Sequence, residues 1–405
     1  MSANVCILTE TYHPLSGGGE TQARVLAAGF AASGRTIHVL TRRTDRTLPK
    51  SESLDGATIW RLSPSGPGHL KKWGLVASAF VKLLSLRRSY DVILVCGYRV
   101  MGIPSVIVGK ILGKPCVLKA DSIGEFSGEF FDPGLHRFGL NHTKFPISVF
   151  LSLRNSLLCN SSAFIAISSV IADELQENNV NAAQIFRIPN SVDTTRFSPV
   201  SVTDKLKLRA SLGIPRDRIV GVYTGRLVST KGLPLLLRSW VNIKNKYPDA
   251  LLMLVGAGGE GIQNCEDELR TFVNNNSLGR SVLFTGSVNN VDEYLKASDF
   301  FIFPTEREAF GISIIEALAC RLPVITTATG GIRDIVTDSK NAIVVPVDDG
   351  HALTLAIEKV LCRDESTIPL TENGRNTVIE RYSEQQVLLQ YIKLVNGLCC
   401  DDLHE

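Results

Sequence analysis

Several features that would have sent the interpretation elsewhere are missing from this chain. Its nine cysteines include no Cys-x-x-Cys pair, which sets aside the common redox and zinc spacings. No uninterrupted apolar stretch approaches the roughly twenty residues needed to cross a bilayer. Neither sign of charge is in excess, since 43 Lys and Arg stand against 40 Asp and Glu for a formal net charge of +3. A bulk electrostatic case for nucleic acid is therefore absent, and any basic patch must be local. There is no internal repeat or low-complexity tract, which sets aside repeat architectures. The first residues lack a charged segment followed by an apolar one, so secretion is not expected and the thiols should be reduced in a cytoplasm. Cys6, Cys96, Cys116 and Cys159 lie in apolar runs and read as small buried hydrophobes, while the adjacent Cys399 and Cys400 carry no functional expectation. The expected location is cytoplasmic, with peripheral contact at the inner face of the membrane as an alternative reading taken up below.

What is present is apolar content of 44% against 20% charged residues over 405 residues. That is too long for one ordinary core, so two domains of nearly equal size are expected. Strand-like and helical runs alternate from the start, with strands at 5–9, 36–41, 58–62 and 91–96, helices at 21–33 and 103–112, and a strand at 115–120. The alternation restarts at 219–224 and runs through strands at 251–255, 282–285, 300–303 and 323–327. Such alternation means parallel sheets. Residues 190–205 are rich in Ser, Thr, Pro and Asp without either periodicity and read as the linker. A last helix at 384–398 lies beyond the final strand at 342–345.

The segment 303–335, FPTEREAFGISIIEALACRLPVITTATGGIRDI, is the most informative. It places Glu308 in a loop and Glu316 on the helix that follows a Phe310-Gly311 turn. Backbone N–H groups of Phe310, Gly311 and Ile312 would project from that helix N-terminus, where the macrodipole favours an anion such as phosphate. The two glutamates are too far apart to share a proton, which leaves accepting hydrogen bonds from hydroxyls on either side of the phosphate. Hydroxyl, phosphate, hydroxyl is the outline of a nucleotide sugar. A pair of solvated surface glutamates is the competing reading, but Gly330-Gly331 after the next strand opens a second turn, into a helix expected to start near Ile332, on the same sheet edge, where open parallel sheets bind ligands.

With Pro323-Val324-Ile325 and Gly330-Gly331, the Glu308…Glu316 pattern resembles the retaining nucleotide-sugar glycosyltransferases of family 4. Three further segments are similar to that family in the same order: Gly17-Gly18-Gly19-Glu20, the stretch from Pro189-Asn190-Ser191-Val192-Asp193 to Phe197-Ser198-Pro199, and Gly225-Arg226-Leu227 with Lys231-Gly232. The resemblance implies the α/β GT-B fold, two facing Rossmann-like domains whose C-terminal helix crosses back to the first. The expected boundaries are residues 1–195 for acceptor binding, 205–378 for the nucleotide-sugar donor, and 379–405 for the returning helix and tail. It further implies that Gly18 and Gly19 close on the donor diphosphate, that Arg226 and Lys231 grip it, that Glu308 binds sugar hydroxyls and Glu316 the ribose, and that Val288 forms part of the nucleobase wall.

Fixed cations aimed at a leaving diphosphate stabilise charge that develops in the transition state. No metal cofactor is then expected, and the sequence contains no Asp-x-Asp. The chain departs from the family at three places. Asp121 stands where many members carry a sugar-facing His, with a strand-end cap as its plainer reading. Arg321 replaces a Gly in a left-handed position, and Ser191 stands where Gly is common.

The run Gly256-Ala257-Gly258-Gly259-Glu260-Gly261 is a literal dinucleotide fingerprint. It is not in the first strand-helix unit of its domain, and the next strand ends in Phe284-Thr285-Gly286 without an acid, so no dinucleotide is expected. Residues 69–88 carry Lys71, Lys72, Lys82, Arg87 and Arg88 beside Trp73, Val76, Phe80, Leu83 and Leu84. Such a helix either packs its apolar face on the sheet or lies on an anionic membrane. The expected partners are a nucleotide-sugar donor and a sugar, lipid-linked or other small acceptor, with no nucleic acid. A sugar-nucleotide epimerase or hydrolase of the same fold, or a silent nucleotide-binding subunit, are the alternatives.

Overall fold

The computed structural model describes residues 3–15, 17–66, 71–136, 139–259 and 263–401, with the side chains of 71–73 and 401 left aside. It forms two compact units, Met1–Asn190 together with Glu384–Glu405, and Ser191–Ser383. The first unit holds strands β1 (Val5–Thr9), β2 (Ile37–Arg42), β3 (Ser51–Leu54), β4 (Ala57–Leu62), β5 (Val92–Cys96), β6 (Cys116–Lys119), β7 (Ala163–Ala166) and β8 (Ile185–Arg187) in the order β3-β4-β2-β1-β5-β6-β7-β8. Only the β3–β4 pair is antiparallel. Asp55 and Gly56 both have positive φ there, a two-residue hairpin turn that the Asp-Gly dipeptide signals; the sequence reading had no strand at 51–54.

Strands β1 and β5 are buried along their whole length, as helices on both faces of a parallel sheet require. Their order reverses between β1 and β5, so the loops after β1, β5 and β6 leave one carboxyl edge around a topological switch point. The last helix, Glu384–Asp401, belongs to this unit. It seats Val387, Tyr391 and Val395 in the core of β1, β2 and β5 and meets Phe30 of helix Gly18–Ala32 edge to face through Tyr391, with centroids 6.5 Å apart. Close approach is possible because Gly29 has no Cβ, which would lie 2.8 Å from Leu388.

The second unit holds β9 (Ile219–Thr224), β10 (Ala250–Val255), β11 (Val282–Gly286), β12 (Phe300–Phe303), β13 (Val324–Thr326) and β14 (Ile343–Val344), all parallel, in the order β11-β10-β9-β12-β13-β14. This is the doubly wound order, with its switch point between β9 and β12. Tyr223 and Phe303 stack across these two strands at 5.5 Å. Two local expectations need correction. Val202–Ser211 is a helix capped by Ser201, whose hydroxyl accepts from Asp204 N–H at 3.1 Å, so the stretch read as linker ends in a helical turn. The helix expected near Ile332 is a short 3-10 turn, Gly330–Asp334.

Helix Lys71–Ser85 buries Leu75, Ala79 and Leu83, and Lys82 lies over the Trp60 ring at 3.2 Å. Burial pulls the Lys82 ammonium below its usual range. The apolar face is thus occupied by packing; His69 and the side chains of Lys71, Lys72 and Trp73 lie outside the described residues. In the glycine run, Glu260 and Gly261 also lie outside them. Gly256 has φ 138 and a Cβ there would meet the Gly225 carbonyl at 1.9 Å, so this glycine serves backbone crowding between β9 and β10.

Candidate functional site

Because β9 and β12 are neighbours, the loops 225–232 and 304–311 rise side by side from the carboxyl edge of the second sheet. Thr230 offers its carbonyl to Glu306 N–H and to the Thr305 hydroxyl, both at 3.0 Å. Gly232 has φ 69, and a Cβ on it would lie 1.9 Å from the Pro304 carbonyl oxygen. Only glycine lets the two loops touch here. The contact brings Lys231 to Glu308, Nζ to Oε2 at 2.7 Å, with side chains 14 and 18% exposed. Lys231 also donates to the Arg307 carbonyl at 3.3 Å.

The Gly330-Gly331 turn holds the other side of this loop. Gly331 N–H donates to the Glu308 carbonyl at 3.0 Å, and a Cβ on Gly330, φ 55, would lie 1.9 Å from that same oxygen. The Thr329 hydroxyl adds a bond to the Glu306 carbonyl at 2.9 Å. Glu308 is therefore clamped by backbone on both sides, and its Oε1 accepts from the N–H groups of Ala309 and Phe310 at 3.0 and 3.4 Å.

Helix Ile312–Ala319 starts from Gly311, whose φ of 113 suits only glycine. The buried Phe310 ring anchors the start edge-on to Tyr382 at 5.8 Å. Among the described residues, the N–H groups of Gly311, Ile312 and Ser313 make no hydrogen bond. The expected third donor, Phe310 N–H, is instead turned to Glu308; Ser313 takes its place, one residue further on. Arg226, exposed and without an ion pair among the described residues, flanks the same edge. A half-bound lysine, a free arginine and a bare helix N-terminus form a ready anion site.

Glu316 sits one turn along this helix, half-buried, and its carboxyl makes no hydrogen bond among the described residues. Burial pushes it up to about 8, with Arg196 opposing and nearby Asp292 adding to the rise. Arg196 is held by Asp292 and the Asn289 carbonyl, both at 2.8 Å. Val288, half-buried, precedes Asn289 on the connection from β11 to helix Val291–Ala297. Arg196 was not singled out from sequence, although it directly precedes the Phe197-Ser198-Pro199 segment that was. Arg321 has φ 59, the left-handed conformation expected of that position, and its guanidinium pairs with Glu372.

On the first unit, helix Gly18–Ala32 begins earlier than expected, so Gly18 and Gly19 form its first turn and make no backbone hydrogen bond through their N–H groups among the described residues. Ideal Cβ positions on Gly19 and Gly97 both lie 3.3 Å from Asp121 Oδ2. Asp121 thus lies where the ends of β1, β5 and β6 meet, closely flanked by two glycines. Its other oxygen pairs with the buried Lys119 ammonium. Burial opposes that charge, but Asp121 beside it holds the Lys119 pKa above its usual range. Behind them Glu125 is fully buried, accepts from Asp121 N–H at 3.3 Å and faces Arg99 Nε at 3.7 Å. Burial raises its pKa. Lys119, Glu125 and Arg99 carried no sequence signal beyond their position near a strand end.

Two doubly wound α/β units, each with its polar residues gathered at a sheet's carboxyl edge, define the GT-B class of transferases. Residues 16–196 match the family described as Glycosyltransferase Family 4 and residues 204–377 that described as Glycosyl transferases group 1, and the chain belongs to these group 1 glycosyltransferases. An uncharacterized glycosyltransferase of Methanocaldococcus jannaschii is 24% identical over 400 residues, spanning 96% of this chain and 97% of its own. The D-inositol 3-phosphate glycosyltransferase of Saccharomonospora viridis is 25% identical over 383 residues, spanning 89 and 84%. In structure, a sucrose-phosphate synthase from Thermosynechococcus elongatus matches with a TM-score of 0.80 at 23% identity, over 98% of this chain and all 100% of that one. HepE of Anabaena, solved with UDP and glucose, matches with a TM-score of 0.77 at 20% identity over 97 and 99% of the two chains.

Proposed function

We propose that this glycosyltransferase is a retaining, metal-independent enzyme that moves a sugar from a nucleoside diphosphate donor to an acceptor bound by the first unit. One observation carries the reading: Lys231, Glu308 and the bare N-terminus of helix Ile312–Ala319 converge at the switch point of the second sheet. A diphosphate leaving group gains negative charge as the glycosidic bond breaks, and two cations and a helix N-terminus offset that charge without a metal. Glu308, fixed by three donors, accepts from sugar hydroxyls; Glu316 accepts from the ribose, and Val288 borders the base. Asp121 orients the sugar or the acceptor and does not attack, with Gly18 and Gly19 offering N–H groups beside it. Retention follows from front-face displacement assisted by the departing phosphate. Donor class is supported by the relative solved with UDP and glucose. A cytoplasmic role in glycan, polysaccharide or glycolipid assembly fits this chemistry.

The test begins with a thermal-shift panel of ADP, GDP and UDP, followed by turnover of the matching sugar donors and NMR of the product anomer. Activity is expected to survive excess EDTA with the donor's anomeric configuration kept. Turnover lost to EDTA and restored by magnesium or manganese, or an inverted product, would overturn the mechanism.

A further inference from the structure

The turn that follows β6 is held in place by two helices further along the chain. Glu174, on helix Ser169–Glu177, accepts from the N–H groups of Gly124, Phe126 and Ser127 at 2.7, 3.1 and 3.0 Å. Arg154, on helix Ile147–Leu158, donates to the Glu125 and Phe126 carbonyls at 3.0 and 2.5 Å. With its backbone held on both sides, Glu125 points inward. Its side chain is 1% exposed, and Oε2 has no hydrogen-bond partner among the described residues. A buried carboxyl with an orphan oxygen destabilises the fold around it, and an apolar side chain in that space would cost less. Stability is therefore not what this carboxyl supplies, and its neighbours show what it does.

Glu125 Oε1 faces both the Asp121 N–H, at 3.3 Å, and Arg99 Nε, at 3.7 Å. Lys119 takes Asp121 Oδ1, which leaves Oδ2 without a hydrogen bond among the described residues. That free oxygen and Arg99 Nη2 border the same small space, since a Cβ on Gly97 would lie 3.3 Å from the one and 3.8 Å from the other. Arg99 makes no hydrogen bond among the described residues either; it lies over the Phe130 ring at 3.8 Å and is 23% exposed, so solvent leaves it room to turn. An ionised Glu125 holds Arg99 by charge. Once Glu125 is neutral, the carboxylate left beside Arg99 is Asp121, across Gly97. The other groups around Glu125 do not compete for this role. Burial keeps the Cys96 thiol of β5 and the Tyr98 hydroxyl protonated through neutral pH, while Arg154 and Glu174 are engaged by backbone. Burial pushes Glu125 from the ordinary 4.5 up to about 7, with Arg99 opposing and Asp121 adding to the rise.

We propose that Glu125 is a positioning residue for Asp121: its buried carboxylate keeps Arg99 off the aspartate's free oxygen, and its protonation hands Arg99 to that oxygen and draws Asp121 away from the reactants. The claim rests on the reading that Asp121 orients the sugar or the acceptor. Its test is release of nucleoside diphosphate from the sugar donor that the thermal-shift panel selects, followed across about pH 5–9. The proteins compared are the parent, Asp121→Asn, Glu125→Gln, Arg99→Gln and the double variant Glu125→Gln with Arg99→Gln. With Glu125 titrating near 7, parent kcat/KM should fall about tenfold from about pH 8 to about pH 6. Glu125→Gln should be about tenfold low at every pH without that acid fall. Arg99→Gln should lose the acid fall while keeping its activity, and the double variant should recover to the level of Arg99→Gln. Diphosphate affinity should stay that of the parent in both single variants. A Glu125 that is merely structural would leave the double variant no better than Glu125→Gln and the acid fall intact in Arg99→Gln; either result overturns the proposal, as does a Glu125→Gln that keeps the parent's profile. Arg99 is partly exposed, so the Arg99→Gln profile gives the answer even where Glu125→Gln folds poorly. Asp121→Asn as active as the parent would sink the role given to Asp121 and this proposal with it, whereas an impaired Asp121→Asn beside an unrecovered double variant sinks this proposal alone.

Discussion

Lys231 and Glu308 are expected to answer to each other, because the same ammonium that would grip a diphosphate is held by a carboxylate in the free protein at 2.7 Å. At that separation and an effective dielectric of about 20 the gross attraction is about 6 kcal/mol. Desolvation of two partly buried groups and the ordering of a long side chain cancel most of it, leaving a net coupling of about 1–3 kcal/mol. Glu308→Gln keeps the acceptor shape for Ala309 and Phe310 N–H but frees the lysine, so nucleoside diphosphate should bind as tightly as to the parent, or up to about tenfold tighter. Turnover of the sugar donor should fall, since a carboxylate aimed at sugar hydroxyls is lost. Lys231→Ala should do the reverse, removing a charge-assisted contact of about 1.5–3 kcal/mol and unmasking Glu308 beside the phosphates. The double variant should bind better than Lys231→Ala alone, because nothing is left to unmask. Calorimetry with the nucleoside diphosphate chosen by the thermal-shift panel, run on all four proteins, gives the cycle directly. If the two substitutions are additive within error, or if Lys231→Ala binds like the parent, the pair is an ordinary surface ion pair and the donor-site assignment fails.

Glu316→Gln should reveal a stability cost that the native carboxyl carries. Its folded pKa near 8 lies above the ordinary 4.5, so across that window the folded state keeps a proton the unfolded chain has lost and stability falls as pH rises. Thermal melts of variant and parent should coincide below about pH 4.5 and separate in the variant's favour toward pH 8 and above; a constant offset at all pH values would refute the buried-carboxyl account. Arg321→Gly should be more stable than Arg321→Ala by about 1 kcal/mol, because both lose the Glu372 partner and only glycine escapes the left-handed penalty at φ 59. Equal denaturation midpoints would show that the strain is not felt.

The sequence alone determined the periodic parts. Fully buried parallel strands must be unbroken apolar runs, so β1, β5, β9, β10 and β12 announced themselves, and the glycines at 232, 311 and 330 marked backbone that had to bend or touch. The edge hairpin was missed because β3, Ser-Glu-Ser-Leu, is half-exposed and carries no apolar run, although its Asp55-Gly56 turn was there to read. The helix at 202 was missed because it is mostly polar and only its Ser201 cap betrays it. Neither of those errors touches the candidate site. What only the tertiary structure decided was partnership. Spacing along the chain set Glu308 and Lys231 in two separate loops; that β9 and β12 are neighbours, with an order no local pattern encodes, is what makes them an ion pair. Likewise Asp121, which has Lys119 and Glu125 close by in the chain, gained Gly19 and Gly97 only once three strand ends met at one edge. Local sequence specifies which backbone is strained and which face is apolar, because those depend on neighbours a few residues away. Which charges oppose one another depends on strand order and burial, and these exist only in the folded chain.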